Sequence, residues 1–422
     1  MKILVIGEGG REHALVKAIR KSKKVEKLYC IPGNAGTKLE LGETENISVL
    51  DFSKIYNFVE DKAIDMVVVG PEVPLANGIT DFLSVKGIKV FGPNKEAAKL
   101  EASKVFAKEL MKKYNIPTAP FKVFEDYEKA VLYIKESSDY PVVIKADGLA
   151  AGKGVIIAKD YEEAKNALHD MMVKLVFGES GKRVVIEKFL KGIEISILAF
   201  TDGKVIKPMV SAKDYKKVGE GDTGLNTGGM GAISPNPIYS DEVAEYCYNN
   251  IYIPTINALS RENIEYKGVI YFGMIKTDDG VFVIEYNCRF GDPETQVILP
   301  RLKTDIVDIF EAVIDGKLDS IEIEWIDDLA MTIVLASGGY PKEYKKGYEI
   351  KNLDKIDDDI IVYHAGTQLK VENGQEKILT SGGRVLNVTS VGKNFDEIKQ
   401  KILKACETIE FTNKYYRKDI GI

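Results

Sequence analysis

Between residues 281 and 290 the chain reads VFVIEYNCRF, with Glu285, Asn287 and Arg289 at every second position. An extended strand would line up these three on one face and set Ile284, Tyr286, Cys288 and Phe290 against a core on the other. Carboxylate and amide oxygens are hard ligands suited to a Mg²⁺ ion that bridges nucleotide phosphates, and arginine adds a planar fork for a carboxylate or phosphoryl group. A solvated, salt-bridged strand face is the plainer alternative. The turn Gly291-Asp292-Pro293-Glu294-Thr295 directly after it favours a ligand site.

Three glycine-rich stretches could meet anionic or amine groups. Residues 146–155 (ADGLAAGKGV) imitate a phosphate loop, but three residues separate Gly148 from Gly152-Lys153 where that loop needs four. Gly154 also stands where a Ser or Thr would hold magnesium. What remains is a hairpin turn with Lys153 at its tip, preceded by a strand whose alternation groups Lys145 with Val143 and Asp147. Residues 219–231 hold six glycines in thirteen positions, as expected of a loop that is disordered or that folds closely over a ligand. Just upstream, Asp214 could hold a substrate amine or cap a turn.

The opening Gly7-Glu8-Gly9-Gly10-Arg11-Glu12 has the strand, turn and helix order of a dinucleotide fingerprint, yet Glu12 replaces its third glycine. Residues 29–31 offer no acid for a ribose. A nicotinamide-dependent oxidoreductase is therefore disfavoured, while a helix N-terminus beside Arg11 still suits a phosphate. His13, His169 and His364 have no triad-spaced partners, which leaves histidine-based covalent catalysis without support.

These residues need a scaffold. Over residues 1–100, apolar runs at 3–6, 28–31, 66–69 and 90–92 alternate with helical patterns at 12–20, 53–60 and 75–85, so βαβ units and a doubly wound parallel sheet are expected. A single helix over 96–114 ends at Pro117. An α+β unit follows at 121–190, then further strands at 194–200, 205–210, 268–276 and 281–287 around a helix at 241–259. After a helix at 305–315, strands at 330–336, 361–365 and 384–389 with a helix near 395–407 form a last unit. The expected domains are 1–100, 101–325 with a mobile flap at about 121–191, and a small mixed α/β domain at 326–422.

The 422 residues, 45% hydrophobic and 29% charged, allow two to four domains at roughly 100–200 residues each and exclude wholesale disorder. The net charge of −6 disfavours a nucleic-acid partner. Four scattered cysteines without a C-x-x-C pair point away from structural zinc and toward the reducing cytoplasm. No stretch reads as a membrane span.

The wording of residues 7–15 (GEGGREHAL), 32–37 (PGNAGT), 69–75 (VGPEVPL), 144–156 (IKADGLAAGKGVI), 222–232 (DTGLNTGGMGA), 285–296 (EYNCRFGDPETQ), 364–367 (HAGT) and 417–421 (RKDIG) resembles the ATP-grasp superfamily. Within it the resemblance is to the phosphoribosylamine–glycine ligase (glycinamide ribonucleotide synthetase) family. Leu225, where proline is frequent, is a mild departure. The resemblance implies an N-terminal substrate-binding domain, a split ATP-grasp domain and a closing C-terminal domain. It also implies an ADP-forming ligase of purine biosynthesis that joins glycine to 5-phosphoribosylamine through glycyl phosphate, acting as a monomer or weak homo-oligomer.

By that resemblance Lys104 and Lys145 meet the ATP phosphates beneath a flap carrying Gly152, Lys153 and Gly154. Glu187, Phe189 and Leu190 form the adenine hinge, with Glu194 near the ribose. Glu285 and Asn287 take Mg²⁺ or Mn²⁺, and Arg289 takes the transferring phosphoryl group. Asp214 with Asn226, Thr227, Gly228 and Gly229 falls where glycine and ribosylamine meet, and Gly9, Gly10 and Arg11 take the ribose 5-phosphate. Another ATP-grasp carboxylate ligase would share the lysines, Glu285 and Asn287; a nucleotide-sensing module would bind ATP without turnover.

Overall fold

A computed structural model describes residues 1–42, 44–137, 139–150, 154–372 and 374–421. The opening apolar runs pair in parallel: β1 (Lys2–Gly7), β2 (Lys27–Pro32), β3 (Met66–Val69) and β4 (Lys89–Phe91) lie in the order β2-β1-β3-β4. β1 and β3 are buried almost throughout, as a sheet covered by helices on both faces requires. Strand order reverses between them, so the turn after β1 opens into the crevice where such sheets take ligands.

Two expected helices are each broken in two. Instead of one helix over 75–85 there are Glu72–Ala76 and Ile79–Ser84, separated by Gly78 at φ +89°. Instead of one over 96–114 there are Lys95–Ala102 and Lys104–Lys113. Ser103 is extended at the second break, and its hydroxyl accepts the Phe106 N–H at 3.1 Å. That cap starts a new helix at Lys104 and so aims this lysine.

The flap is a four-stranded antiparallel sheet, β5 (Phe121–Phe124), β6 (Val142–Ala146), β7 (Val155–Ala158) and β8 (Val184–Lys188), in the order β5-β8-β6-β7. It has its own core, with Ile134, Ile144, Leu168 and Ile186 buried together. Next come β9 (Ile193–Thr201), β10 (Ile206–Pro208), β11 (Lys213–Asp214), the hairpin β12 (Lys217–Gly219) and β13 (Thr223–Asn226), and β14 (Gly231–Ser234). β15 (Gly268–Thr277) and β16 (Gly280–Asn287) then complete a sheet ordered β10-β9-β15-β16.

β16 departs from simple alternation. Gly273 pairs with Glu285 but Met274 pairs with Val283, which leaves Ile284 as the extra residue of a β-bulge. Val281 and Val283 therefore join Tyr286 and Cys288 in the core, and Ile284, expected there, is only half-buried. Glu285 and Asn287 keep the opposite face.

The last sheet takes strands from both sides of the expected 325/326 boundary. β17 (Leu329–Ser337) and β18 (Ile361–His364) precede the hairpin β19 (Thr367–Glu372) and β20 (Gln375–Thr380) and then β21 (Arg384–Gly392); β17, β18 and β21 are joined by β14 and β11 in the order β11-β14-β17-β21-β18. The segment that bears Asp214 is thereby hydrogen-bonded into the C-terminal sheet, through β14, while Ser196 of β9 bridges Ala212.

Candidate active site

Lysines and carboxylates alternate along the cleft between flap and central sheet. Lys145 on β6 is buried, with Nζ 3.0 Å from Glu187 on β8 and donating to the Ile284 carbonyl at 2.9 Å. That carbonyl belongs to the bulged residue of β16. Lys108, one helical turn beyond Lys104, also reaches Glu187, at 2.8 Å, and donates to Thr118. Burial opposes ionisation of Glu187, yet the two ammonium groups hold its carboxyl below the usual range. Burial and the charge of Lys145 push Lys108 down to about 8.

Lys104 pairs with Glu285 at 3.0 Å. Burial would raise the Glu285 carboxyl, but Lys104, Lys216 and Lys145 outweigh it and hold it far below the usual range. Asn287 is buried beside it and accepts from Arg289 at 3.4 Å. Two oxygen donors on one strand face suit a cation whose remaining ligands are phosphate oxygens and water. Among the described residues no group of three or more His, Cys, Asp or Glu side chains forms a self-sufficient metal cage.

Arg289 is braced by Glu72 at 3.2 Å and Glu101 at 3.2 Å, and Arg11 stands 4.0 Å from the same Glu72 oxygen. Arg289 and the first glycine turn are thus neighbours through Glu72. In that turn the Gly9 N–H donates to Glu12 at 2.6 Å and the Arg11 N–H to Asp292 at 3.2 Å. The Arg11 side chain is buried and donates to Glu12 and to the Phe290 carbonyl. A Cβ on Gly9 would stand 2.7 Å from the Glu12 carboxylate, and Gly7 and Gly70 are just as close to this side chain. An internal carboxylate therefore fills the cradle that a dinucleotide fingerprint keeps for pyrophosphate, and two carboxylates hold the amides expected to bind the ribose 5-phosphate. Gly10 packs against Asn387 and Gln296.

Asp214 differs from Glu187 and Glu285 in having no ion pair among the described residues. Its Oδ1 is buried without a hydrogen-bond partner, and burial, then the charge of Glu294, raise its carboxyl well above the usual range. Glu294 is itself buried and accepts from Tyr271 at 2.9 Å. Gly229, at φ +110°, approaches so closely that a Cβ would lie 2.7 Å from Asp214 Oδ1 and strike Pro293. Thr227 donates from N and Oγ1 to the Lys216 carbonyl, both at 2.8 Å, and Gly228 donates to Tyr340 at 3.0 Å. Asn226, on exposed β13, is not drawn in with them. The glycine-rich segment is ordered as a hairpin because buried Arg417 donates to the Lys217 carbonyl at 2.9 Å and to Asp222 at 2.8 Å.

At the hinge, Phe189 and Leu190 follow β8 half-buried, and Glu194 is largely exposed and paired to Lys216 at 2.6 Å. The Glu187 side chain faces Lys145 and Lys108. Gly152 and Lys153 lie outside the described residues; Gly154 accepts the Ala146 N–H at 2.9 Å. Sequence reasoning missed Lys108, Lys216, Glu72, Glu101 and Arg384. The four-residue spacing of Lys104 and Lys108 on one helix was the available signal for the first.

Three family models tile the chain: Phosphoribosylglycinamide synthetase, N domain, over residues 1–101; its ATP-grasp (A) domain over 102–295; and its C domain over 330–422. The chain is 50% identical to the phosphoribosylamine–glycine ligase of Caldanaerobacter subterraneus subsp. tengcongensis, covering 100% of this chain and 99% of that protein. It is 49% identical to the ligase of the same name from Clostridium acetobutylicum, with the same coverage. Among solved structures it is similar to phosphoribosylamine–glycine ligase from Thermotoga maritima, at TM-score 0.81 and 35% identity over 99% of this chain and 100% of that one. The biotin carboxylase domain of Hydrogenobacter thermophilus 2-oxoglutarate carboxylase, solved with MgADP and bicarbonate, shares the fold at TM-score 0.72 and 18% identity over 98% of this chain and 91% of that one.

Proposed function

The chain belongs to the phosphoribosylglycinamide synthetase family of ATP-grasp ligases, and from that premise we propose how its cleft joins glycine to 5-phosphoribosylamine. The observation that carries the reading is the contrast inside one cleft between carboxylates ion-paired to lysines and Asp214, whose buried Oδ1 has no hydrogen bond and which, among the described residues, has no ion pair. ATP phosphates take the place of Glu285 and Glu187 as counter-charges for Lys104, Lys145 and Lys108. Glu285 and Asn287 would hold Mg²⁺ or Mn²⁺, which would supply charge withdrawal from the phosphate oxygens. Glu194 reaches the nucleotide ribose, and Arg289, fixed by Glu72 and Glu101, faces the phosphoryl group in transfer.

Asp214 and Glu294 hold the glycine ammonium, which orients its carboxylate toward the nucleotide. A carboxylate oxygen attacks the γ-phosphorus and ADP leaves. The ribosylamine nitrogen then attacks the acyl carbon of glycyl phosphate, phosphate departs with that oxygen, and one proton is released. No side chain forms a covalent bond; the protein contributes position and fixed charge. Flap closure over residues 121–191 keeps water from the acyl phosphate. The four cysteines, all buried and unpaired, support a cytoplasmic setting.

The test is ADP release with glycine and ribosylamine omitted in turn. Full release needs both substrates; release indifferent to glycine overturns the mechanism.

A further inference from the structure

The first glycine turn is a poor place for a phosphate dianion, since its Gly9 and Arg11 amides already face the carboxylates of Glu12 and Asp292. Across from it, four segments converge on Arg384. This side chain is four-fifths buried, and its Nη1 donates to the carbonyls of Gly228 and Asp292, the latter at 2.8 Å, and pairs with Asp292 Oδ1 at 3.2 Å. All three contacts use one nitrogen. Among the described residues no hydrogen bond or ion pair uses the Nε–Nη2 edge, and a guanidinium edge is the group that grips a phosphate in two parallel bonds.

Two further donors come from the neighbouring loop, of which Tyr340 interacts electrostatically with Arg384. Tyr340 accepts the Gly228 N–H at 3.0 Å, so its own O–H is left to donate onward. Tyr340 and Tyr344 stand with ring centroids 6.2 Å apart over Gly383, where any side chain would collide with the Tyr340 ring. Exposed Lys346 lies 5.8 Å from the Tyr344 ring centre, and its charge acts on Glu8 at the lip of the first turn. Next to this basic corner stand Asp292, Glu294 and Asp214, each of which interacts electrostatically with Arg384. A ligand with phosphate at one end and an amine at the other matches that order of charges.

We propose that Arg384, with Tyr340 and Lys346, binds the 5-phosphate of the ribosylamine, so that the C-terminal domain supplies the substrate's anchor and the first glycine turn does not. The proposal rests on the substrate reading given above. It also gives the Ser337-Gly-Gly-Tyr340 and Ser381-Gly-Gly-Arg384 turns a task beyond reversing the chain.

The experiment is calorimetric titration of the full-length protein with ribose 5-phosphate, a stable probe, together with steady-state kinetics. Arg384→Gln weakens ribose 5-phosphate by about 30–100-fold, the range for a charged hydrogen-bonded contact, and raises KM for ribosylamine while KM for ATP and for glycine stays put. Arg384→Lys regains part of the loss. Lys346→Ala, on an exposed loop where folding is not at stake, weakens the probe by about three- to tenfold and makes binding less salt-dependent. Wild-type affinity in both Arg384→Gln and Lys346→Ala overturns this proposal alone. A wild-type protein that takes no ribose 5-phosphate overturns the substrate reading and the proposal together.

Discussion

The two halves of the cleft carry charge in opposite ways. On the proposed nucleotide side two carboxylates are matched by lysine, Glu285 by Lys104, and Glu187 by Lys145 and Lys108. On the amine side Asp214 and Glu294 approach each other in a buried space, and the Asp214 carboxyl is raised well above its usual range by burial and by Glu294. The first half is balanced and can exchange internal partners for a polyanion. The second is short of positive charge, a lack that an incoming ammonium remedies. The lesson is that ligand sign can be read from which half is left unbalanced.

The largest effect that could break this contrast is at Glu285. Glu285→Gln lowers metal-dependent ADP release by about 100- to 1,000-fold and shifts Tm by a few degrees at most; equal loss of both would make the residue structural. Lys145→Met comes next, with KM for ATP up by about 30-fold and about 1–3 kcal/mol of stability lost because Glu187 keeps only Lys108. Adding Glu187→Gln restores the stability measured by denaturant but not ATP use.

Asp214→Asn sharpens the comparison from the other side. The folded pKa of this carboxyl is raised, so its contribution to stability is present below the unfolded value and lost as pH rises through the folded one. Asn removes that loss, and Tm at neutral pH rises by about 1–4 °C. KM for glycine climbs by about tenfold or more, and the fall in kcat/KM for glycine at low pH, caused by protonation of Asp214, disappears. The smallest effect is at Ser103. Ser103→Ala removes a helix cap worth about 1 kcal/mol and loosens Lys104, so KM for ATP rises by about two- to fivefold, read in the same kinetic assay.

The nucleotide half was the more legible in sequence for a physical reason. Glu285 and Asn287 sit on one strand and Arg289 just past its end, all related by one local period. Even there the bulge at Ile284 was hidden, because the slip is set by pairing with Gly273 and leaves no local mark. The break at Ser103 was hidden for a similar reason: the apolar pattern continues through it, and the Ser103 hydroxyl donates to Asp147 of the flap turn at 2.8 Å. In the amine half Asp214, Glu294 and Arg384 come from distant segments, and no spacing relates them. In the glycine turn the wording suits a phosphate, and what it did not disclose is that Glu12 folds back onto the Gly9 amide.

In the proposed mechanism the two halves meet at one atom, the glycine carboxylate oxygen held on the amine side while it attacks phosphorus held on the nucleotide side. Turnover of glycine labelled with ¹⁸O in its carboxylate tests this directly. The account predicts one ¹⁸O in the inorganic phosphate for each product formed; phosphate free of label would contradict it.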